Sequence, residues 1–356
     1  AYERRKQSVT GVDISRRLTK IKTLPKFAWL TKPPVTCLTQ TLRDQDAAFA
    51  HFFRRVKAGE TLGYPRFRLR YDNTVSLRFQ DVSETKWMRG TVSLPKLGAV
   101  KIAENLPAVA RPDSVTLKRE ADGRYYVTFA ATVEVALLPV TASVIGVDLG
   151  LTHLATLSSG EKIANPRKLA GRLKYLKQQQ RCLARRQKGS RRREKQRLRV
   201  ARAHSIVANQ RRYALHALTT RLVREHQIIC IEDLNVKGMI KHPTLARHIA
   251  DASFGEFRRM IEYKAQWYGR TVIAVDRWFP SSKTCSKCSH KLDELRLDIR
   301  QWTCPKCGRE HDRDINAAQN IVAAGMLQLA PDEPGNLRAD GEAVSSPREA
   351  RTGQIN

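Results

Sequence analysis

The chain has 356 residues, enough for two or three domains with cores of their own. Its 65 Lys and Arg against 34 Asp and Glu give a formal charge of +31, a balance matched by a polyanionic partner rather than by a small-molecule substrate. No apolar run approaches the roughly 20 residues of a bilayer span and no signal-peptide pattern opens the chain, so the expected protein is cytoplasmic, bound to nucleic acid and not to a membrane.

Residue 1 is Ala and the chain opens inside a helix-like pattern, AYERRKQSVTGVDISRRLTKIKTL, so a natural start upstream is expected. Residues 1–60 read as a helical segment, with Leu42, Ala47, Phe49, Phe52 and Phe53 on one apolar face. From Tyr64 the pattern turns to alternation and β-branched residues, and ADGR between SVTLKRE and YYVTFAATV is a hairpin signal. Residues 61–140 therefore read as a small, barrel-like antiparallel β domain. SVIGVDLG follows as a buried strand with HLATLSSGEKI as its hairpin partner. Residues 167–225 read as two long basic helices broken near Gly189 and Ser190, and QIICIEDL as another buried strand. An amphipathic helix (SFGEFRRMIEYKAQWYG), a strand (RTVIAVDRWF), a cysteine region at 280–310 and a last helix at 311–327 complete the pattern. Residues 328–356, rich in Pro, Gly, Ser and charge, are expected to be a disordered tail.

Of seven cysteines, four form two C-x-x-C pairs, Cys285 with Cys288 and Cys304 with Cys307. Four thiolates so spaced can surround one Zn²⁺ tetrahedrally; the competing reading is a pair of disulfides or free thiols. With four protein ligands the site is structural, since no position is left for water. The basic run RRQKGSRRREKQRLR offers Arg185, Arg186, Lys188, Arg191, Arg192 and Arg193 to phosphates. A merely solvated charge run is the bland alternative, opposed by the apolar stripe Leu169, Leu173, Leu176 and Leu183.

Three acids stand apart. Asp148 ends SVIGVD, Glu232 ends QIICIE, and Asp312 or Asp314 begins the helix after the cysteines. Carboxylates at the ends of apolar strands call for compensation. Converging, they would cage two Mg²⁺ ions about 3.5–4 Å apart for phosphodiester cleavage; each alone also fits a ligand-free strand end or a helix cap. If the helix begins about Ile315, Asp314 is its N-cap and Asp312 lies in the preceding loop.

GVDLGLTHLATLSSG, IICIEDLNVKGM, FPSSKTCSKCSHK and WTCPKCGREHDRDINAAQNI, in that order, resemble the split RuvC-like nuclease and zinc ribbon of the TnpB family, transposon-encoded relatives of type V CRISPR effectors. YPRFRLR and VSLPKLGAVKI resemble its upstream region more loosely. The resemblance implies a multi-domain α+β protein. In it a helical recognition segment (1–60) and a wedge-like β-barrel (61–140) precede an RNase H-like core (141–279), a zinc ribbon (280–310) and the last RuvC-like helix (311–327). It also implies a β segment ahead of the helices with which this chain starts. The implied activity is RNA-guided, Mg-dependent cleavage of double-stranded DNA beside a short adjacent motif, in a prokaryotic, nucleoid-associated setting. Asp148, Glu232 and Asp314 would be catalytic, the last because the family's D-x-N-A-A pattern falls on Asp314, Asn316, Ala317 and Ala318. The guide RNA would come from the transposon end. A transposase acting on the ends of its own element and a non-catalytic nucleic-acid-binding regulator are the alternatives.

Overall fold

The computed structural model describes residues 10–61, 63–66, 75–80, 86–88, 90–103, 112–296, 298–329 and 351–355. They divide into two units, Ala1–Val133 with Ser346–Asn356, and Glu134–Ser345. Among the described residues no helix is long and apolar enough to cross a membrane.

In the first unit, helix α1 (Gly11–Ile21) starts at a capping box in which the Thr10 N–H donates to Asp13 at 3.1 Å and the Thr10 hydroxyl accepts the Asp13 N–H. A 3₁₀ helix (Pro25–Thr31) leads to α2 (Val35–Lys57). The aromatic face expected on α2 is not core: Phe49 and Phe52 meet Tyr64 edge-on at 5.7 and 5.4 Å, and Phe53 is exposed. Strands β1 (Val75–Phe79), β2 (Lys86–Met88), β3 (Thr91–Leu94), β4 (Gly98–Lys101), β5 (Ser114–Arg119) and β6 (Tyr125–Ala130) follow. The ADGR hairpin joins β5 to β6, with Gly123 at φ +83° and its N–H on the Glu120 carbonyl. Among the described residues the expected barrel is not found as a closed one. Strands β2, β3 and β4 form one open antiparallel sheet, while β1, β5 and β6 belong to another. The two share a core of Phe79, Val92, Leu94, Val115 and Val127, joined by Cys37 of α2. These short ladders bury apolar surface by facing one another, so no hydrogen-bonded closure is needed. Much of the anchor YPRFRLR lies outside the described residues.

The second unit begins with β7 (Val144–Asp148), β8 (His153–Leu157) and β9 (Lys162–Ala164). Helices α3 (Lys168–Ala184) and α4 (Arg191–Glu225) then run to β10 (Ile228–Glu232). Short helices α5 (Val236–Met239) and α6 (Ala246–Ala252) precede α7 (Phe254–Tyr268) and β11 (Thr271–Val275). A ribbon of β12 (Gln301–Thr303) and β13 (Glu310–Asp312) ends at α8 (Arg313–Leu329). The five-stranded sheet has the order β11-β10-β7-β8-β9, with β7, β10 and β11 parallel, β8 antiparallel to β7 and β9 antiparallel to β8. Its central strands β7 and β10 are apolar up to the carboxylate that ends each, because both faces are covered. On one face Ile145, Val147, Ile229 and Ile231 pack with α7 and the C-terminal half of α4. On the other, Cys230 and Ile273 pack with Ile321 of α8.

The last strand, β14 (Arg351–Ile355), pairs antiparallel with β6 in the first unit. The tail expected to be disordered from residue 328 thus contains a strand, while 330–350 lie outside the described residues. β6 offers a free edge, and pairing with an edge asks only for an extended backbone, which composition does not reveal.

Candidate metal centres and basic hairpin

Strand alternation decides where two of the acids point. Asp148 shares the face of Val144 and Gly146, and Glu232 that of Ile228 and Cys230, so both side chains leave the sheet on the side that α8 covers. Ile231 pairs with Val147, which sets the next residues, Glu232 and Asp148, side by side at the ends of parallel strands. Gly146 lets the helix approach: a Cβ there would clash with the Ala318 carbonyl. Gly325 does the same against Cys230, whose sulfur would lie 2.5 Å from an added Cβ. With Ala318 against Gly146, the first turn of α8 and its Asp314 come up to Asp148.

The charges interact. Asp148 is ringed by protein atoms though still partly solvent-accessible, and burial first, then the Glu232 and Asp314 charges, push its carboxyl up to about 7. Arg313 and Arg300 oppose that rise. Burial also raises Glu232. The donor set therefore fits a hard divalent cation: three carboxylates on two strand ends and a helix start, held in mutual repulsion that a cation would relieve. Cationic side chains that sequence reading missed partly balance it. Arg300 pairs with Asp314 at 3.3 Å, and Asp233, next to Glu232, is held below the usual carboxylate range by Arg258 and then Arg277.

The helix cap differs from expectation. Helix α8 begins at Arg313, and the carboxylate that accepts its N–H groups is Asp312, from Asp314 at 3.1 Å and Ile315 at 3.2 Å. Strand β13 runs directly into the helix, so no loop residue intervenes and the cap moves two positions upstream. Asp312 also accepts from Lys162 at 2.6 Å. Burial works against its charge, but Lys162 and those N–H groups keep its carboxyl below the usual range. Asp314, in the first turn, has no capping duty.

Cys285, Cys288, Cys304 and Cys307 gather with all four sulfurs within 4.8 Å, the only such group among the described residues; the three carboxylates stand further apart. Each knuckle closes on backbone bonds, Ser289 N–H to the Cys285 carbonyl and Gly308 N–H to that of Cys304, both 2.9 Å. Burial opposes ionisation of Cys304, but the N–H groups of Cys307 and Lys306 and the neighbouring thiols bring it down to about 7. Cys288, despite the His290 N–H, is pushed to about 12 by burial and the other sulfurs. Four clustered sulfurs, one of them brought toward the thiolate by its surroundings, are a donor set suited to Zn²⁺. His311, which the sequence did not flag, lies with Nε2 3.1 Å from the Cys285 sulfur.

The basic run forms a helical hairpin. Gly189, at φ +83°, makes the turn, and Ser190 caps α4 by accepting the Arg193 N–H at 3.1 Å. Asp251 receives the Leu169 N–H at the start of α3 and pairs with Arg211 of α4 at 2.6 Å, pinning the hairpin's base. Arg185, Lys188, Arg191 and Arg192 are exposed and Arg186 half-buried. Arg193 is occupied otherwise, donating to the carbonyls of Leu183 at 2.8 Å and Arg186 at 2.9 Å, where it satisfies the end of α3.

The chain is also similar to known proteins along most of its length. Residues 130–242 match a family described as "Probable transposase", and residues 254–321 match the "Cas12f1-like, TNB domain". A Streptomyces pristinaespiralis protein provisionally named RNA-guided DNA endonuclease is 40% identical over 93% of this chain and 81% of its own length. The Escherichia coli K12 protein InsQ, named in the same provisional way, is 33% identical over 88% of this chain and 80% of its own. Among solved structures, a CRISPR-Cas12f ternary complex aligns over 90% of this chain and 76% of its own, at 15% identity and a TM-score of 0.40.

Proposed function

The chain belongs to the TnpB family, and from that premise we propose that it is an RNA-guided, divalent-metal-dependent DNA endonuclease of a transposable element. Its second unit would be an RNase H-like nuclease core, a reading supported by the sheet order and by acids at the ends of β7 and β10. The observation that carries the proposal is the convergence of Asp148, Glu232 and Asp314 from two neighbouring strand ends and a helix start, where burial first and then the Glu232 and Asp314 charges push the Asp148 carboxyl to about 7. Such stored repulsion is a poor structural device and a good cation trap.

Asp148, Glu232 and Asp314 would hold Mg²⁺, and Cys285, Cys288, Cys304 and Cys307 would hold Zn²⁺. A pair of divalent cations supplies an activated water and stabilises the departing oxygen of a phosphodiester. The chain's own residues prepare that site. Asp312 and Lys162 fix the start of α8, Arg300 pairs with Asp314, and the Asp233 pairs with Arg258 and Arg277 hold the segment after Glu232. The basic hairpin would carry the backbone of guide RNA and of the guide–target duplex, so that base pairing rather than protein contact reads the DNA sequence. The test is to sequence the RNA that co-purifies from the native host. One discrete species, derived from the transposon end, is expected; heterogeneous fragments would point to a nonspecific nucleic-acid-binding regulator.

A further inference from the structure

Helix α8 is fastened to the first cysteine knuckle by its own amide side chains. Asn316 donates from Nδ2 to the Thr284 carbonyl at 2.7 Å and accepts the Ser286 N–H at Oδ1 at 2.9 Å, so one side chain spans both peptide groups flanking Cys285. Asn320, a turn further on, donates to the carbonyls of Ser281 at 2.7 Å and Thr284 at 2.6 Å. Ser286 Oγ donates to Gln319 at 2.8 Å. From the other side His311 reaches the Cys285 sulfur, and it immediately precedes the cap residue Asp312. The clamp is buried: Asn316 is 1% exposed, Asn320 5%, His311 6% and Cys285 0%.

Asparagine is a weak helix former, and burying its amide is costly unless both ends are bonded. Helix packing alone would be served better by Ala or Leu. Asn316 does what neither could, since the knuckle presents it with one acceptor and one donor together. Its position matters as much. Cys285 is gripped by His311, three residues before Asp314, and by the hydrogen bonds between its flanking peptide groups and Asn316, two residues after Asp314. Anything that fixes the Cys285 sulfur therefore fixes the turn carrying Asp314.

We propose that Asn316 and Asn320 are positioning residues coupling the two metal centres, so that zinc on the four thiolates sets the affinity of the acidic trio for a divalent cation. The inference rests on the metal assignments proposed above. Zinc holds its thiolates at about 2.3 Å in fixed directions, which a set of free thiols does not. The coupling is reciprocal: a cation on Asp314 tightens the hold on zinc.

The test uses the full chain freed of nucleic acid, with Mn²⁺ as the probe, its free concentration read by electron paramagnetic resonance. In the wild type, removing zinc should weaken Mn²⁺ binding about tenfold, the lower end of what losing an outer-shell partner costs a metal site, and restoring zinc should reverse it. Asn316→Asp keeps size and acceptor but loses the donor to Thr284. It should retain one zinc per chain yet bind Mn²⁺ about tenfold more weakly, although its added negative charge alone would strengthen binding. Asn320→Ala gives the same direction by a milder route should the first variant fold poorly. Unchanged Mn²⁺ affinity in zinc-loaded Asn316→Asp, or in zinc-free wild type, overturns the coupling. Asp148→Asn separates the levels: if it binds Mn²⁺ as tightly as wild type, the acidic site itself is wrong and the coupling falls with it. If Asp148→Asn alone loses Mn²⁺, the site stands and only the coupling is lost.

Discussion

Asp148 illustrates how a site residue works against the fold that holds it. Its carboxyl rises from the ordinary value of 3.8 to about 7 in the folded, metal-free protein. The folded state thus binds that proton more tightly than the unfolded chain does, and the group's stabilising contribution is complete below about pH 4 and lost as pH climbs to 7. Asp148→Asn should consequently raise the melting temperature of the metal-free protein by several degrees at pH 8, with the gain shrinking toward pH 5, while cleavage disappears. A lower melting temperature at pH 8 would show that Asp148 stabilises the fold. The two aspartates at the start of α8 divide their duties differently from the sequence reading. Because Asp312 is the cap and Asn is an equally good one, Asp312→Asn should keep the fold and much of the activity, losing the Lys162 ion pair. Asp314→Asn should keep fold and guide binding and lose cleavage, as turnover and circular dichroism would record. The sequence made Asp148 and Glu232 conspicuous because carboxylates end otherwise apolar strands. It could not assign the cap, which depends on β13 running into α8 without a loop, nor reveal Arg193 as a structural donor within a run of arginines that look alike.

Spacing alone made the cysteine ribbon legible, and the break of the basic helices was legible from Gly189 and Ser190. The β region was legible only in part, since alternation identifies strands and the ADGR turn identifies a hairpin, but whether ladders close into a barrel depends on pairings between strands far apart in sequence. Two forecasts belong to these elements. Purified protein should contain one zinc per chain, and Cys304→Ser should release it and unfold the ribbon, because a closed zinc site contributes its binding energy to folding. Full zinc content in that variant would refute the four-thiolate site. Replacing Arg185, Lys188, Arg191 and Arg192 together with Gln should flatten the salt dependence of RNA affinity, by roughly 0.7–0.9 in log–log slope for each phosphate no longer neutralised. An unchanged slope would make the hairpin a solvated surface. Arg193→Ala is the contrasting variant: freeing the Leu183 and Arg186 carbonyls, it should lower stability more than it changes the slope.

At the scale of the whole molecule the charge of +31 and the acidic trio make opposite demands. A strongly basic surface gathers polyanions without regard to sequence, whereas the three carboxylates would cut only a backbone brought to them with a compensating cation. Specificity residing in the guide reconciles the two. The most direct measurement is to replace the targeting segment of the RNA, keep the adjacent motif, supply Mg²⁺, and map the new DNA ends. The predicted result is cutting that moves to the newly matched sequence and vanishes with Asp148→Asn; ends that stay fixed at the transposon borders whatever the RNA would contradict it and point to strand transfer instead.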